Sequence, residues 1–574
     1  MAAIINALDN HTTQQIGENG HQEYTWSNDI RERIMQLSFQ LTRTHDDTSL
    51  RTITDDILTE LHDLHTYGVM IKEEYVNLMS VMFKMIGHTR DIISGKGEYS
   101  LSYMLLTVWY DHYPELAKFA FKYFVMPLDM CDNVHQYGSW KDIKYFSKNY
   151  PDHPLVDYGV RLINDQLKID INSLNLDFSR EIPSLVSKWI PREKSQFKEL
   201  YYKLAFDYFS NYINSAKTLE SKQLAESKAK MEYRIIVSGI NKRLDTVQIK
   251  QCSQNWALID PSKQTSITMH KQKTAFLNYT KDGKQRYTCE DRVICGENFK
   301  SFVKQVASGQ QEVKGARVGL NDFTVSAFDL ITRGLKHSDE STILNAQWYD
   351  SSKQTSKLGN FIPMIDVSGS MAGDPIHAAI ALGIRIAEKS SLGKRALTFH
   401  SEPSWINLDT CSGFIDMVEK LTKADWGMHT NFKKALKMIL DAIISQKLHP
   451  DEVSDMTLVI LSDMQCDAAD NRGATMYESI ENMYAEAGNK LFGKPFKPPH
   501  ILFWNLRSTS GFPSLSTQPN ISMLSGFSPA LLNLFCEQGM DALQDCTPWS
   551  IFLKSLENER YNILGNKITE EFGV

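Results

Sequence analysis

At 574 residues, with 42% of positions hydrophobic, the chain is long enough for two to four domains and apolar enough to fill their cores. No run of about 18 apolar residues occurs, which excludes a membrane helix recognisable by hydropathy. The eight cysteines are scattered without a Cys-x-x-Cys pair, which argues for reduced thiols in a cytoplasmic compartment and against a structural zinc. The formal charge of −7 is unevenly spread: residues 181–320 hold 24 Lys and Arg against 14 Asp and Glu, whereas 1–180 and 361–574 are net acidic. A surface that meets a polyanion explains this segregation, and so do basic residues decorating solvated helix faces.

Residues 1–28 are polar and lack the basic flank and apolar stretch of a secretory or mitochondrial leader, so they read as a disordered or flexible arm. From 29 to 350 the pattern is helical nearly throughout. Apolar positions at three- and four-residue spacing predict helices at 30–40, 53–65, 73–87, 100–110, 114–124 and 139–148. No strict period is visible, so any solenoid is irregular. His62 and His65 lie at i, i+3 without a third metal ligand nearby, which favours solvent-facing histidines. The turn from His88 to Glu98 contains Gly95-Lys96-Gly97, whose amides could cradle a phosphate. It lacks the preceding strand and the spacing of a nucleotide loop, which favours a plain helix connector. Ser139 with Asp142 three residues on looks like a capping box.

Beyond Pro191, residues 196–246 read as long helices whose polar middle, 215–230, is a solvated helix or an exposed loop. Residues 278–325 read as a loop-rich insertion, followed by one or two helices up to Trp348 and a linker at 351–359. Cations beside aromatics or at helix ends form a candidate RNA-facing set: Arg90, Lys96, Lys141, Arg234, Lys242, Arg243, Lys263, Lys271 and Lys273. Such residues pair with phosphates while neighbouring rings stack bases, although aromatic anchors of a helical core show the same spacing.

From 360 to 574 strands alternate with helices. Strands are expected at 360–366, 395–400, 456–462, 499–505 and 521–524, with helices between and after them, which calls for a parallel sheet with right-handed crossovers. Gly488-Asn-Lys-Leu-Phe-Gly-Lys-Pro495 mimics part of a phosphate loop. Pro495 replaces the hydroxyl residue and the segment follows a helix, so it is a helix stop.

The strand Phe361–Ile365 leads directly into Asp366, Ser368 and Ser370, three oxygen donors at i, i+2 and i+4. Thr430 precedes another helix and Asp463 ends another apolar strand. In a parallel sheet the loops at the carboxyl ends of neighbouring strands meet, so these five side chains can converge. Hard oxygen donors of this kind suit Mg2+, or Mn2+ or Ca2+ in its place. A hydrogen-bonded, capped turn is the plainer reading of Asp-x-Ser-x-Ser alone. Asp374 and His429 lie close by, but no paired-carboxylate or nucleophile pattern accompanies them, so no enzyme is expected.

The Asp366-x-Ser368-x-Ser370 sequence with later Thr430 and Asp463 resembles the metal-ion-dependent adhesion site of von Willebrand factor A domains. It departs from the family at Met428-His429, where Gly-Gly usually precedes the threonine. Further upstream, five stretches resemble an uncharacterised branch of proteins related to the Ro autoantigen. They are Arg90-Asp91 with Gly95 to Glu98, Ser139-Trp140-Lys141-Asp142, Lys188-Trp189-Ile190-Pro191, Trp256 with Asp260 and Lys263, and the run Lys271 to Phe276. The resemblance covers roughly 29–573 and implies an α plus α/β chain: an irregular HEAT-like helical module of the TROVE type, then a doubly wound parallel-sheet A domain. It implies a non-enzymatic RNA-binding protein with a divalent-metal adhesion site. The alternative is a protein-interaction scaffold whose metal grips an acidic partner residue, without RNA. No DNA-specific motif and no membrane partner are expected.

Overall fold

The computed structural model describes residues 14–44, 47–68, 72–129, 134–174, 182–280, 282–399, 402–423, 431–465, 475–509, 511–536, 543 and 546–573. An antiparallel hairpin comes first, β1 (Gln14–Ile16) and β2 (Gln22–Tyr24). Sixteen described helices follow: α1 (Ile30–Gln40), α2 (Asp47–Gly68), α3 (Lys72–Arg90), α4 (Ser100–His112), α5 (Pro114–Val125), α6 (Lys141–Asn149), α7 (Pro154–Leu174), α8 (Val186–Trp189), α9 (Lys198–Tyr208), α10 (Ser210–Ser215), α11 (Leu219–Leu244), α12 (Val247–Cys252), α13 (Ser266–Leu277), α14 (Glu290–Ala307), α15 (Leu320–Thr332) and α16 (Asp339–Ser352). The C-terminal part runs β3 (Phe361–Asp366), α17 (Asp374–Lys389), β4 (Arg395–Phe399), β5 (Ser404–Asn407), α18 (Phe414–Thr422), α19 (Phe432–Gln446), α20 (Pro450–Ser454), β6 (Thr457–Ser462), α21 (Met476–Phe492), β7 (His500–Asn505), β8 (Ile521–Ser525), α22 (Pro548–Leu556) and α23 (Asn562–Phe572). Among the described residues no helix is long and apolar enough to cross a membrane.

Six strands form the sheet in the order β5-β4-β3-β6-β7-β8, parallel throughout except for the edge strand β5. The central strands β3 and β6 are buried at every residue, as helices on both faces require. Their side chains alternate between two cores. Ile362, Met364, Leu458 and Ile460 join the cluster shared with the N-terminal helices. Phe361, Ile365, Val459 and Leu461 join the one built on α15 to α18. Pro363 sits in the middle of this sheet without breaking it. The Val367 amide donates to Phe399 O, so the odd-numbered residues of β3 face β4. Pairing with β4 starts only at Met364 with Leu397, just past the missing N–H.

Three features depart from the sequence reading and a fourth settles an alternative it left open. Residues 14–24 are not a free arm: Tyr24 and Phe512 exchange both backbone hydrogen bonds at 2.9 Å. The stretch expected to be loop-rich, 278–325, contains the 18-residue α14. Its Cys295, Phe299, Phe302 and Val303 pack with Met269 and Phe276 of α13 and Ile343 of α16. The polar middle at 215–230 belongs largely to α11, started by a reciprocal Thr218–Ser221 cap. The linker expected at 351–359 begins inside α16, which is fastened to the sheet's own layer. Arg385 donates to Ser351 O at 3.1 Å, the Trp348 indole donates to Glu388 at 3.0 Å, and Trp348 stacks on Phe414.

Two buried ion pairs fix the α3–α4 turn. Arg90 forks onto Asp142 at 2.6 and 2.9 Å, and Asp142 also accepts from Tyr103 Oη and the Ser139 amide. Only the carboxylate half of the expected capping box forms at the start of α6. The next residue, Asp91, takes a second fork from Arg560 at 2.7 and 2.8 Å and a bond from Tyr561 Oη. Both Arg90 and Asp142 are wholly buried, so removing one strands the other charge. Asp142→Ala is therefore expected to destabilise the protein by about 3–5 kcal/mol, read from its urea unfolding midpoint.

Candidate functional site

Because β3 and β6 are adjacent and parallel, their carboxyl ends lie side by side. That places Asp366 next to Ser462 and Asp463. The Asp366 carboxylate accepts the Ser368 amide at 2.9 Å through Oδ1 and Ser462 Oγ at 2.5 Å through Oδ2. Ser368 Oγ and Ser370 Oγ are 3.1 Å apart in a turn that includes the short helix Gly369–Met371. Gly373 then turns the chain at φ 95°, a conformation side chains resist, and α17 starts. Asp463 is buried. Its Oδ1 accepts the Gln465 amide at 3.2 Å, while its Oδ2 receives no aligned hydrogen bond.

The structure thus brings together four of the five expected donors, Asp366, Ser368, Ser370 and Asp463. Thr430 and its neighbour His429, like the side chain of His65, lie outside the described residues. Burial, and then the neighbouring Asp463 carboxylate, push the pKa of Asp366 up to about 7 against the hydrogen bonds from Ser368 and Ser462. Two neighbouring buried carboxylates fit a hard dication that relieves both burial and mutual repulsion. Among the described residues no three His, Cys, Asp or Glu side chains gather as a metal group. The candidate therefore depends on hydroxyl donors as much as on acids.

The carboxyl edge over β6 to β8 is roofed by the N-terminal segment, and no periodicity signalled this. The Glu18 amide donates to Gln465 Oε1 at 2.8 Å and Asn19 Nδ2 to Gln465 O at 3.0 Å. Asn505 Nδ2 donates to Phe39 O, and the Thr509 amide donates to Gln40 Oε1. Arg43 forks onto Glu98 and approaches Asp374 at 3.7 Å. Gly369 and Ser370 remain exposed and half-buried at the uncovered end. Arg507, which sequence reasoning did not single out, has its Nε 3.0 Å from Asp463 Oδ2.

The nine candidate RNA-facing cations divide. Arg90 is buried on Asp142, and Lys96 is buried among Ser38 O, Leu41 O and Ser525 Oγ at 2.6–2.9 Å. Lys273 is buried and donates to His270 O. Arg90 and Lys96 are corrected: they are internal fasteners with no face for phosphate, while Lys273 is mostly buried at the wall of a cavity beside Arg286 and Arg333. The Gly-Lys-Gly loop is likewise a connector. Its Lys96 and Glu98 amides already bond His88 O and Thr89 O, and a Cβ on Gly95 would meet His88 O at 2.0 Å. Lys141 lies half-buried over Tyr99 and Trp189. Arg234, Lys242, Arg243, Lys263 and Lys271 are exposed, with Arg234 paired to Glu193 at 3.1 Å and Lys263 near Asp260 at 3.5 Å.

Two comparisons bear on this arrangement. A family model described as "Domain of unknown function (DUF7788)" matches residues 360–562, from the residue before β3 to the first residue of α23. The chain is also similar to "Uncharacterized protein L728" of Acanthamoeba polyphaga mimivirus. The two are 28% identical over 514 residues, which cover 86% of this chain and 81% of the viral protein. That similarity spans both the helical half and the sheet.

Glu32, on α1, holds the roof to the loop after β7: it accepts the Ser516 amide at 2.9 and 3.0 Å and Ser516 Oγ at 2.5 Å. Burial outweighs these bonds and raises its pKa to about 7. A carboxyl whose folded pKa is raised stabilises fully below its unfolded pKa and loses that contribution as pH climbs through the folded one. Stability is therefore expected to fall by on the order of 3 kcal/mol between about pH 4.5 and pH 7 on account of Glu32. Glu32→Gln should flatten that part of the pH profile of urea unfolding.

Proposed function

We propose that this chain is a non-enzymatic binding protein whose C-terminal unit is a von Willebrand A-type domain, carried on a HEAT-like helical module of the Ro-related type. Its adhesion site takes a magnesium-type cation and grips an acidic side chain of a partner protein. The observation that carries this reading is the buried Asp366–Asp463 neighbourhood, with the Ser368 and Ser370 hydroxyls 3.1 Å apart beside it. Asp366, Ser368, Ser370 and Asp463 would hold the ion, with Thr430 the fifth expected donor. Once bound, the cation supplies a Lewis-acidic position for an incoming carboxylate. The thiols of Cys252, Cys289, Cys295 and Cys411 agree with a reducing, cytoplasmic setting.

RNA binding by the helical module is the second reading. It is favoured by the exposure of Arg234, Lys242, Arg243, Lys263 and Lys271 within the basic stretch 181–320. It is weakened by the internal use of Arg90 and Lys96, which is why the protein partner comes first.

Calorimetric titration with MnCl2 tests the first reading. Asp366→Ala and Asp463→Ala are each expected to weaken binding at least about tenfold. Pull-downs should lose, in these variants and in EDTA, the same partners that the wild type retains. An unchanged set of partners would defeat the reading. For the second, filter binding of structured RNA should weaken with salt, and Lys242→Glu with Arg243→Glu should flatten that slope by about 2. Affinity that ignores ionic strength would remove RNA from consideration.

A further inference from the structure

Arg507 stands just past the carboxyl end of β7, the strand next to β6, and its guanidinium faces two ways. Nε lies 3.0 Å from Oδ2 of Asp463. Nη2 donates to Glu18 Oε2 at 2.9 Å. Glu18 lies in the turn of the β1–β2 hairpin, and the hairpin holds the loop after β6 by three further bonds. These are the Glu18 amide to Gln465 Oε1, Asn19 Nδ2 to Gln465 O, and Gln465 Nε2 to Glu23 Oε2 at 3.3 Å. Glu23, itself buried, also pairs with His21 at 3.2 Å. One arginine therefore links a candidate cation ligand to the segment that roofs the site.

We infer that Arg507 and the β1–β2 hairpin are an internal occupant of this sheet edge, which competes with a divalent cation and loosens when one binds. The inference rests on the cation reading above.

Asp463 cannot serve a dication fully while its Oδ2 neutralises a guanidinium, and two positive groups drawn to one buried carboxylate repel each other. Arginine suits the role of occupant because it stays charged and is more weakly hydrated than an ammonium. The hairpin suits displacement because strands of three residues each have little stability alone and depend on the contacts just named. Its Tyr24–Phe512 bridge, at the far end from Glu18, gives a point about which the turn can lift. Binding free energies are reciprocal: a cation that weakens the Arg507 contact must itself bind more tightly when that contact is removed.

The test compares full-length wild type, Arg507→Gln and Arg507→Lys by titration with MnCl2, together with hydrogen exchange of residues 14–24 with and without saturating Mn2+. Arg507→Gln is expected to bind Mn2+ about tenfold more tightly, with Arg507→Lys, which keeps a charge but not the fork, in between. Mn2+ should speed exchange in the hairpin of the wild type and change it little in Arg507→Gln. Wild type that binds Mn2+ while Arg507→Gln binds no more tightly overturns this inference alone. If neither protein binds Mn2+, the cation reading falls and takes this inference with it. Binding that appears only in Arg507→Gln supports both.

Discussion

The structure hinges on two adjacent residues whose charges point in opposite directions. Arg90 is spent on Asp142 inside the helical half, and Asp91 on Arg560 from the C-terminal segment. Burying either charge alone would cost several kcal/mol, so neither pair is dispensable once the α3–α4 turn is sealed. Lys96, six residues further on, extends the same turn to Ser525 at the end of β8. One eleven-residue turn is thus tied to a helix before the sheet, a strand end within it and a helix after it. Glycine stands at 95 because a Cβ there would meet His88 O, and Asp142, held by Arg90, accepts the Ser139 amide.

That turn also decides which part of the sheet edge meets solvent. The 88–98 connector, the end of α1 and the hairpin all press on the carboxyl ends of β6, β7 and β8. The loop carrying Ser368 and Ser370 is left at the margin of the roof. Among the described residues, the β3 side past Gly369 is the open approach to the proposed cation. The helical half is then not a separate platform beside the sheet. It forms part of the wall of the site.

How much of this was legible follows from where the signal is stored. Strands β3, β6 and β7 came out within a residue because each is a short apolar run, buried on both faces and ended by Asp, Ser or Asn. That Asp366, Ser368, Ser370 and Asp463 stand at the ends of β3 and β6 was readable because spacing within a loop, and position at a strand end, are local properties. Strand β5 was not: Ser404-Trp-Ile-Asn is four residues long, and its Trp405 is 49% exposed at an edge. The stripe at 295, 299, 302 and 303 of α14 was present but masked by Lys-Asp-Gly-Lys and Ser-Gly-Gln on either side. The hairpin and Arg507 carry no local signature at all. Their meaning comes from contacts with Gln465, Phe512 and Glu18, more than 440 positions apart in the chain.

The Tyr24–Phe512 bridge has a consequence for biosynthesis. Tyr24 leaves the ribosome early, yet its backbone partner follows 488 residues later. At about 5–20 residues per second, that separation corresponds to roughly 25–100 s of translation. Throughout that interval the apolar face of α1, with Ile34, Leu37 and Phe39, has no sheet to cover. Its contacts with α2 and α3 can form early, whereas those with β8 and α22 must wait until the last stretch of the chain emerges.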